Sequence, residues 1–501
     1  MDEAATRAAS NSPTTDETLV AAALRKSAAD REPASLSPFQ GPYADGPPPD
    51  ALTVETPSLH AFGIGELRRM VVIYLVLLTS LVAALAVRVV SRRSRSWPAA
   101  AAEGMVNGFV RLGPTFVKLG QLIASSPGLF PVTLSNACQR CLDDVPPFDG
   151  ATAREMVRND LGLPPEQIFK HFDETPLSAA SIGQVHACVL PDGREAVIKL
   201  QRPNIWGRMT TDLRIMYRLA RTLQKHVKTA QKVNAVGIIE DLHQVTFGEL
   251  NPSLEAWRQH RFRERLWAFG DNNSITAPEV YWDYCGPHMI CMERMSGVPV
   301  DEFDELRERG IDGELIIRRG AKAWLEAVVE HGPFHGDMHA GNIWVLDDGR
   351  SSFLDFGIMG ELPPEWRRVF KDLVMTISVD RDWSRVARGY RELGILPTGL
   401  GTDEELGFSL KMLMEPMLDR TAGETSLGES LKASLDMSEQ LGAAGSPKEL
   451  VLVTKQLLYI ERYIKALAPD YVLLNDPFVI KNIFPEHAVK RAAELGVTFP
   501  E

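Results

Sequence analysis

The chain has 501 residues, 45% of them hydrophobic and 24% charged, which is enough to bury two or three packed units. Its formal net charge of -12 argues against nucleic acid as a partner, because phosphate binding needs a basic face. Five cysteines include one C-x-x-C, Cys138 and Cys141, with no second pair at zinc-finger spacing, so a reducing compartment and no metal or redox role are expected.

Residues 1 to 60 are rich in Ala, Ser, Pro, Asp and Gly without an apolar period, and are expected to be a disordered tail. From Met70 to Val87 the chain carries no charge. A helix of that length reaches about 27 Å against a hydrocarbon core of roughly 30 Å, a marginal span. Arg68 and Arg69 precede it and Arg88, Arg92, Arg93 and Arg95 follow, so a single pass would leave the remainder on the cytoplasmic face. A helix buried in the protein or lying on its surface is the other reading. In G-P-T-F-V-K-L-G-Q-L-I, Phe116, Leu119, Leu122 and Ile123 form a helical stripe, and Lys118 and Gln121 share the opposite face. Short helices are expected over Ala137 to Leu142 and Ala151 to Leu161.

At Phe172 the pattern changes to short strands, with a turn at Pro191-Asp192-Gly193 and Lys199 inside an apolar run. A kinase begins this way, with a loop over the nucleotide phosphates and then a strand lysine that holds them. The loop here, Ser178, Ala179, Ala180, Ser181, Ile182, Gly183 and Val185, has Ser178 and Ala180 where the first two glycines would stand. Val236 to Arg265 reads as one helix whose acids, Glu240, Asp241, Glu249, Glu255 and Glu264, include candidates to pair with Lys199. Two further strands follow, in I-T-A-P-E-V-Y-W and H-M-I-C-M-E-R-M, and Glu293 and Met295 lie in the hinge that would offer backbone groups to adenine. Helix is expected from Asp301 to Glu330 and over most of 363 to 468, where V-L-V-T-K-Q-L-L-Y-I-E-R-Y-I-K-A-L has the clearest amphipathic period.

The centre is F-H-G-D-M-H-A-G-N-I-W-V-L-D-D-G-R-S-S-F-L-D-F-G, Phe334 to Gly357. Two apolar runs around an Asp-Asp-Gly turn predict a β-hairpin, which returns Asp337, Asn342 and Asp355 to one place. Asp337 and Asn342 are five apart and D-F-G follows, the order of a kinase catalytic loop. In that reading Asp337 is the catalytic acid, and Asn342 and Asp355 hold Mg²⁺ on ATP.

Together K-L-G-Q, A-A-S-I-G-Q-V-H, V-I-K, H-G-D-M-H-A-G-N and D-F-G resemble the UbiB (AarF-domain) family of atypical kinase-like proteins, over residues 105 to 380. The resemblance implies an α+β, bilobal protein-kinase-like fold with an alanine-rich loop and a helical K-x-G-Q extension over the active site. It implies ATP and Mg²⁺ as cofactors, ATPase or autophosphorylating activity, and a role in isoprenoid quinone or lipid metabolism at membranes. Lys118, Gly120 and Gln121 match K-x-G-Q, Glu249 the first acid of E-x-D, expected in contact with Lys118 and Gln121, and Glu255 the partner of Lys199. Three positions depart from the pattern: Asn251 for the acid of E-x-D, Ser178 for the first alanine and Ser126 for an arginine after the K-x-G-Q helix.

The expected units are the tail to 60, a hydrophobic segment 61–97, the K-x-G-Q extension 98–170, an N-lobe 171–295, a C-lobe 296–385 and a helical extension 386–501. Expected partners are ATP and membrane lipid or quinone-pathway components, with a homodimer left open. The alternative function is a catalytically weak pseudokinase, an ATP-switched scaffold for a lipid-biosynthetic complex.

Overall fold

Strand-forming residues cluster in two blocks of the chain, and each block supplies one sheet. A computed structural model describes residues 39 to 500 apart from 62, 92–95, 125–129, 142–145, 233, 397–398, 400, 419–447 and 474–475. Ser126 therefore lies outside the described residues.

The first block gives β1 (His171–Ala179), β2 (Gly183–Val189) and β3 (Glu195–Gln201). With β5 (Met289–Glu293) they form an antiparallel sheet in the order β1-β2-β3-β5. Short β4 (Ile275–Thr276) departs from expectation, since it pairs in parallel with β9 (Ser351–Phe353) in the second sheet. That sheet runs β4-β9-β8-β6, with β6 at Gly297–Pro299 and β8 at Ile343–Leu346. The expected hairpin is β8-β9: Ile343 faces Phe353, and the Gly349 N–H donates to the Leu346 carbonyl at 3.0 Å. Beside it, β7 (Phe334–His335) pairs with β10 (Met359–Gly360). A helix-rich α+β fold of the protein-kinase-like kind results, with two four-stranded sheets and one two-stranded sheet among the described residues.

Eight of the described helices position the site or the exposed apolar face beside it. α1 (Ile64–Ser91), longer than the uncharged run itself, lies antiparallel to α2 (Trp97–Leu112). Gly104 and Gly108 permit the contact: a Cβ on Gly104 would stand 2.9 Å from the Leu81 Cα, and one on Gly108 2.8 Å from Leu77. α3 (Pro114–Ala124) carries K-L-G-Q, and α4 is Ile205–His226. The helix expected over 236–265 is two, α5 (Ala235–Glu249) and α6 (Pro252–Ala268). Pro252 cannot continue α5, so Asn251 ends up capping α6, its side-chain oxygen accepting from the Leu254 N–H at 2.9 Å. α7 is Gly313–Glu326 and α8 is Lys448–Leu467.

Two cores hold these elements. One joins Ile73, Val106, Phe109 and Phe116 from α1 to α3 with Met209, Leu213, Leu242 and Phe247 from α4 and α5. The other joins Phe262, Trp324, Phe334 and Phe356 with Val453, Ile460 and Tyr463 of α8.

The tail expectation fails for its last third. From Gly41 to His60 the chain follows a defined path over α4, α5 and α6. Gly41 N–H donates to the Asp283 carbonyl at 2.9 Å, Tyr43 is buried, and its phenol takes a hydrogen bond from Ser253 at 3.0 Å. Arg214 and Arg218 donate to the carbonyls of Ser58 and His60, and His243 meets that of Pro57 at 2.9 Å. Composition predicts disorder when a segment has nothing to bury, but this one is held through its backbone carbonyls by side chains elsewhere.

Candidate functional site

β3 aims Lys199 inward between buried Ile198 and Leu200, opposite Val185 of β2. Its Nζ lies 2.5 Å from Glu255 Oε1 on α6 and 3.3 Å from Asp355 Oδ2. Burial opposes the ammonium, but the two carboxylates outweigh it and hold Lys199 well above the ordinary lysine range. Burial pushes the Glu255 carboxyl up to about 7 against the pull of Lys199. For this one contact the shifts pull in opposite senses; the 2.5 Å distance and the second carboxylate on Lys199 favour the ionised pair near neutral pH. Asp355 keeps 51% of its side chain exposed, so burial raises it less than its depth in the site implies, and Lys199 and the Gly357 N–H hold it at about 2, a carboxylate.

The residues of the candidate catalytic loop are tied together through His335, which is buried. Its Nδ1 accepts from the Asp337 N–H at 3.2 Å, and its Nε2 faces the carbonyls of Leu354 and Asp355 at 3.0 Å each. That pattern fits the neutral ring protonated on Nε2, the form burial favours. Asn342 donates its amide N–H to the Asp337 carbonyl at 3.0 Å, which leaves its side-chain oxygen as an acceptor. Asp355 adopts a left-handed backbone, φ 53°, an unusual conformation for a non-glycine residue. A hard cation on nucleotide phosphates suits this amide oxygen and carboxylate.

The alanine-rich loop is a tight turn between β1 and β2. Ala180 N–H donates to the Gly183 carbonyl at 2.8 Å, and Arg202 holds the Ala180 carbonyl at 3.0 Å and that of Pro146 at 2.8 Å. Ser178 and Ala180 are exposed, Ala179 and Ile182 half-buried, and Ser181 and Gly183 buried. At the expected hinge, the Glu293 N–H donates to the Glu279 carbonyl at 2.8 Å and its carboxylate accepts from Arg263 at 3.2 Å; Met295 follows half-buried.

α3 reaches this cleft. Lys118 forms an ion pair with Glu249, and Glu249 packs against Gly357, where an added Cβ would stand 3.3 Å from its Cγ. Gln121 does not join them; it donates to the Cys141 carbonyl at 3.0 Å. Gly120 is explained by the same neighbour, because a Cβ there would meet the Cys141 sulfur at 2.5 Å. Cys138 and Cys141 are free, buried thiols, with Cys138 pushed up to about 12 by burial, so they pack rather than react.

Asn251 faces away from Lys118. Its amide nitrogen donates to the carbonyls of Ala51 at 2.8 Å and Thr53 at 3.2 Å, bonds an aspartate could not make. Asn251→Asp keeps the α6 cap and sets a carboxylate against two carbonyls. A loss of about 1 to 3 kcal/mol in urea unfolding is expected, with faster amide exchange confined to 41–60; unchanged exchange there would refute the latch.

Sequence reasoning missed Lys455 of α8, whose Nζ lies 2.8 Å from Asp337 Oδ1. A signal was present: Gln456 interrupts the stripe Val453, Ile460, Tyr463, and a polar residue on a buried face needs buried partners.

A strand lysine paired to a helix glutamate, set across a cleft from a D-x-x-x-x-N loop and D-F-G, defines a protein-kinase-like protein. Residues 140–390 match the ABC1 atypical kinase-like domain, and the chain belongs to that family. It is 34% identical over 397 residues to an uncharacterized protein of Mycobacterium tuberculosis, covering 78% of this chain and 80% of that one. To the probable protein kinase UbiB of Erwinia tasmaniensis it is 32% identical over 365 residues, 72% of this chain and 66% of that one. A Mycobacterium tuberculosis protein solved in complex with erythromycin matches with a TM-score of 0.45 and 23% identity, over 65% of this chain and 85% of the other.

Proposed function

We propose that the protein is a Mg²⁺-dependent, ATP-binding atypical kinase or ATPase acting at a membrane surface in isoprenoid quinone or lipid metabolism. The observation that carries this reading is Lys199 bridging Glu255 and Asp355, one cation held ready for phosphate beside a carboxylate fit for a metal. Asn342 and Asp355 would hold Mg²⁺, which supplies charge neutralisation on the phosphates when bound. Asp337 orients and deprotonates the attacking hydroxyl, and the His335 bond to its N–H fixes the start of the loop. The Lys118–Glu249 pair beside Gly357 favours a small acceptor, such as water or a lipid head group, over an extended peptide.

The test is a thermal shift with ATP. Wild-type protein gains about 2.7 kcal/mol at a hundredfold excess over Kd, only with Mg²⁺ present, and Asp355→Asn loses that gain. Equal stabilisation with Mg²⁺ and with chelator would remove the metal assignment.

The membrane part rests on α1. It is the one described helix long and apolar enough to cross a bilayer, and 11% of its most apolar window is buried. Val71, Tyr74, Leu75, Leu78 and Val82 face outward. Its other face is occupied: Arg69 pairs with buried Asp212 at 2.7 Å, Arg214 with Glu66 at 3.0 Å, and Arg111 of α2 donates to Ser80 at 3.0 Å. Crossing with these contacts intact would carry α2 into the bilayer, and Glu103 and Arg111 with it, at about 2.5 to 3.5 kcal/mol per charge near the centre. In our reading α1 therefore lies in the interface with its free face toward lipid.

A further inference from the structure

α8 grips the catalytic loop on both sides of Asp337. Gln456, fully buried, accepts from the Met338 N–H at 2.7 Å and donates to the Gly336 carbonyl at 2.7 Å. About two turns further on, Tyr463 donates its hydroxyl to the Met338 carbonyl at 2.8 Å. The residues before and after Asp337 are thus pinned to one helix. Lys455, next to Gln456, completes the arrangement at 2.8 Å from Asp337 Oδ1, while Oδ2 is 3.7 Å from His339 Nε2.

Phosphoryl transfer places charge on the oxygens of the migrating group, and cations must meet it there. The other cations near the site have their own places: Lys199, bridged by Glu255 and Asp355, is the strand lysine for the inner phosphates, Lys118 pairs with Glu249, and Arg258 donates to the Gly357 carbonyl at 2.7 Å. Lys455 pairs with Asp337 and lies 5.8 Å from the Tyr459 ring, and its side chain is 41% exposed, so an ammonium with three donors keeps some of them for a further acceptor. We propose that Lys455 is the cation that meets the terminal phosphate of ATP on the Asp337 side, delivered by a C-terminal helix far from the catalytic loop in sequence. This rests on the nucleotide reading above. Burial works against its charge, but the Asp337 carboxylate more than offsets it, so Lys455 stays protonated.

In the step it serves, the oxygen of water or an acceptor hydroxyl bonds to the γ-phosphorus. The bond from that phosphorus to the β–γ bridging oxygen breaks, and its electron pair leaves on ADP. The proton of the attacking hydroxyl passes to Asp337 and later to water. Lys455 keeps its proton throughout and acts by charge and by hydrogen bonds.

The experiment titrates the full chain, Lys455→Met and Lys455→Arg with Mg·ADP and with the Mg complex of the β,γ-imido analogue of ATP, by calorimetry. Wild type prefers the analogue. Lys455→Met loses that preference by about tenfold while its ADP affinity holds within about twofold, and Lys455→Arg retains most of the preference. Equal weakening of both nucleotides would show a structural prop, and no change in either would show an idle surface pair; both overturn the proposal. A wild type that binds neither nucleotide overturns the nucleotide reading and this proposal with it. A wild type that prefers the analogue through Lys455 yet hydrolyses no ATP in a single-turnover assay supports Lys455 and overturns the enzymatic reading alone.

Discussion

Lys199→Met is expected to cost about 3 to 5 kcal/mol at pH 8, because it leaves a buried carboxylate without its cation, and about 1 to 2 kcal/mol less at pH 5. Glu255 is 4% exposed, and burial already lifts its carboxyl to about 7 from an ordinary 4.5. Without Lys199 it rises further. Between 4.5 and the raised folded value, the folded state holds a proton that the unfolded state has released. Stability of the variant therefore falls as pH rises through that window, with the same sign as in wild type but continuing to higher pH. At pH 5 the carboxyl is largely protonated in the folded variant, and only the lost packing of the lysine stem and its contact to Asp355 remain. Asp355, with about half its side chain in water (51%), adds little to the difference. Urea unfolding of wild type, Lys199→Met and Lys199→Met/Glu255→Gln at pH 5 and 8 measures this. The double variant should lose the extra pH dependence; a single variant equally destabilised at both values would show that Glu255 is not the buried charge in question.

The second large effect is membrane binding. Glutamate at Val71, Leu75, Leu78 and Val82 together should abolish flotation with phosphatidylglycerol vesicles, since all four are exposed and apolar. The melting temperature should stay near that of wild type, because these side chains leave the α1–α2 contact at Leu77 and Leu81 untouched. Orientation is read by single cysteines introduced at Ala44 and Val497 in cells, labelled with an impermeant maleimide. A helix lying in the interface gives both positions the same accessibility. Opposite accessibility would mean that α1 crosses, and that α2 separates from it to allow this.

Local pattern alone was enough for several parts of the site. The apolar runs about Asp347-Asp348-Gly349 sufficed for the β8-β9 hairpin, because a turn and two short strands depend on neighbours a few residues away. Strand alternation located β2, β3 and Lys199 in the same manner. The five-residue spacing of Asp337 and Asn342 needed no tertiary information either. At Leu250-Asn251-Pro252 the helix break was visible in the proline and was overridden by the apolar period on either side.

What tertiary structure decided lies at long range. Gly41 to His60 looks disordered because it has little to bury, yet its carbonyls are caught by Asn251, His243, Arg214 and Arg218 from about 150 to 200 residues away, which no local window contains. Gly120 is unexplained in sequence, for its reason is the Cys141 sulfur across the packed helices. Local pattern puts Lys118 on the polar face of its helix, where only the family resemblance pointed to Glu249, and it leaves Lys455 unmarked, since a charge on a helix face does not show which carboxylate it will meet. Glu249 and Asp337 become their partners only when α3 and α8 pack, because hydrophobic stripes set helix orientation and the polar residues then fall where those stripes carry them.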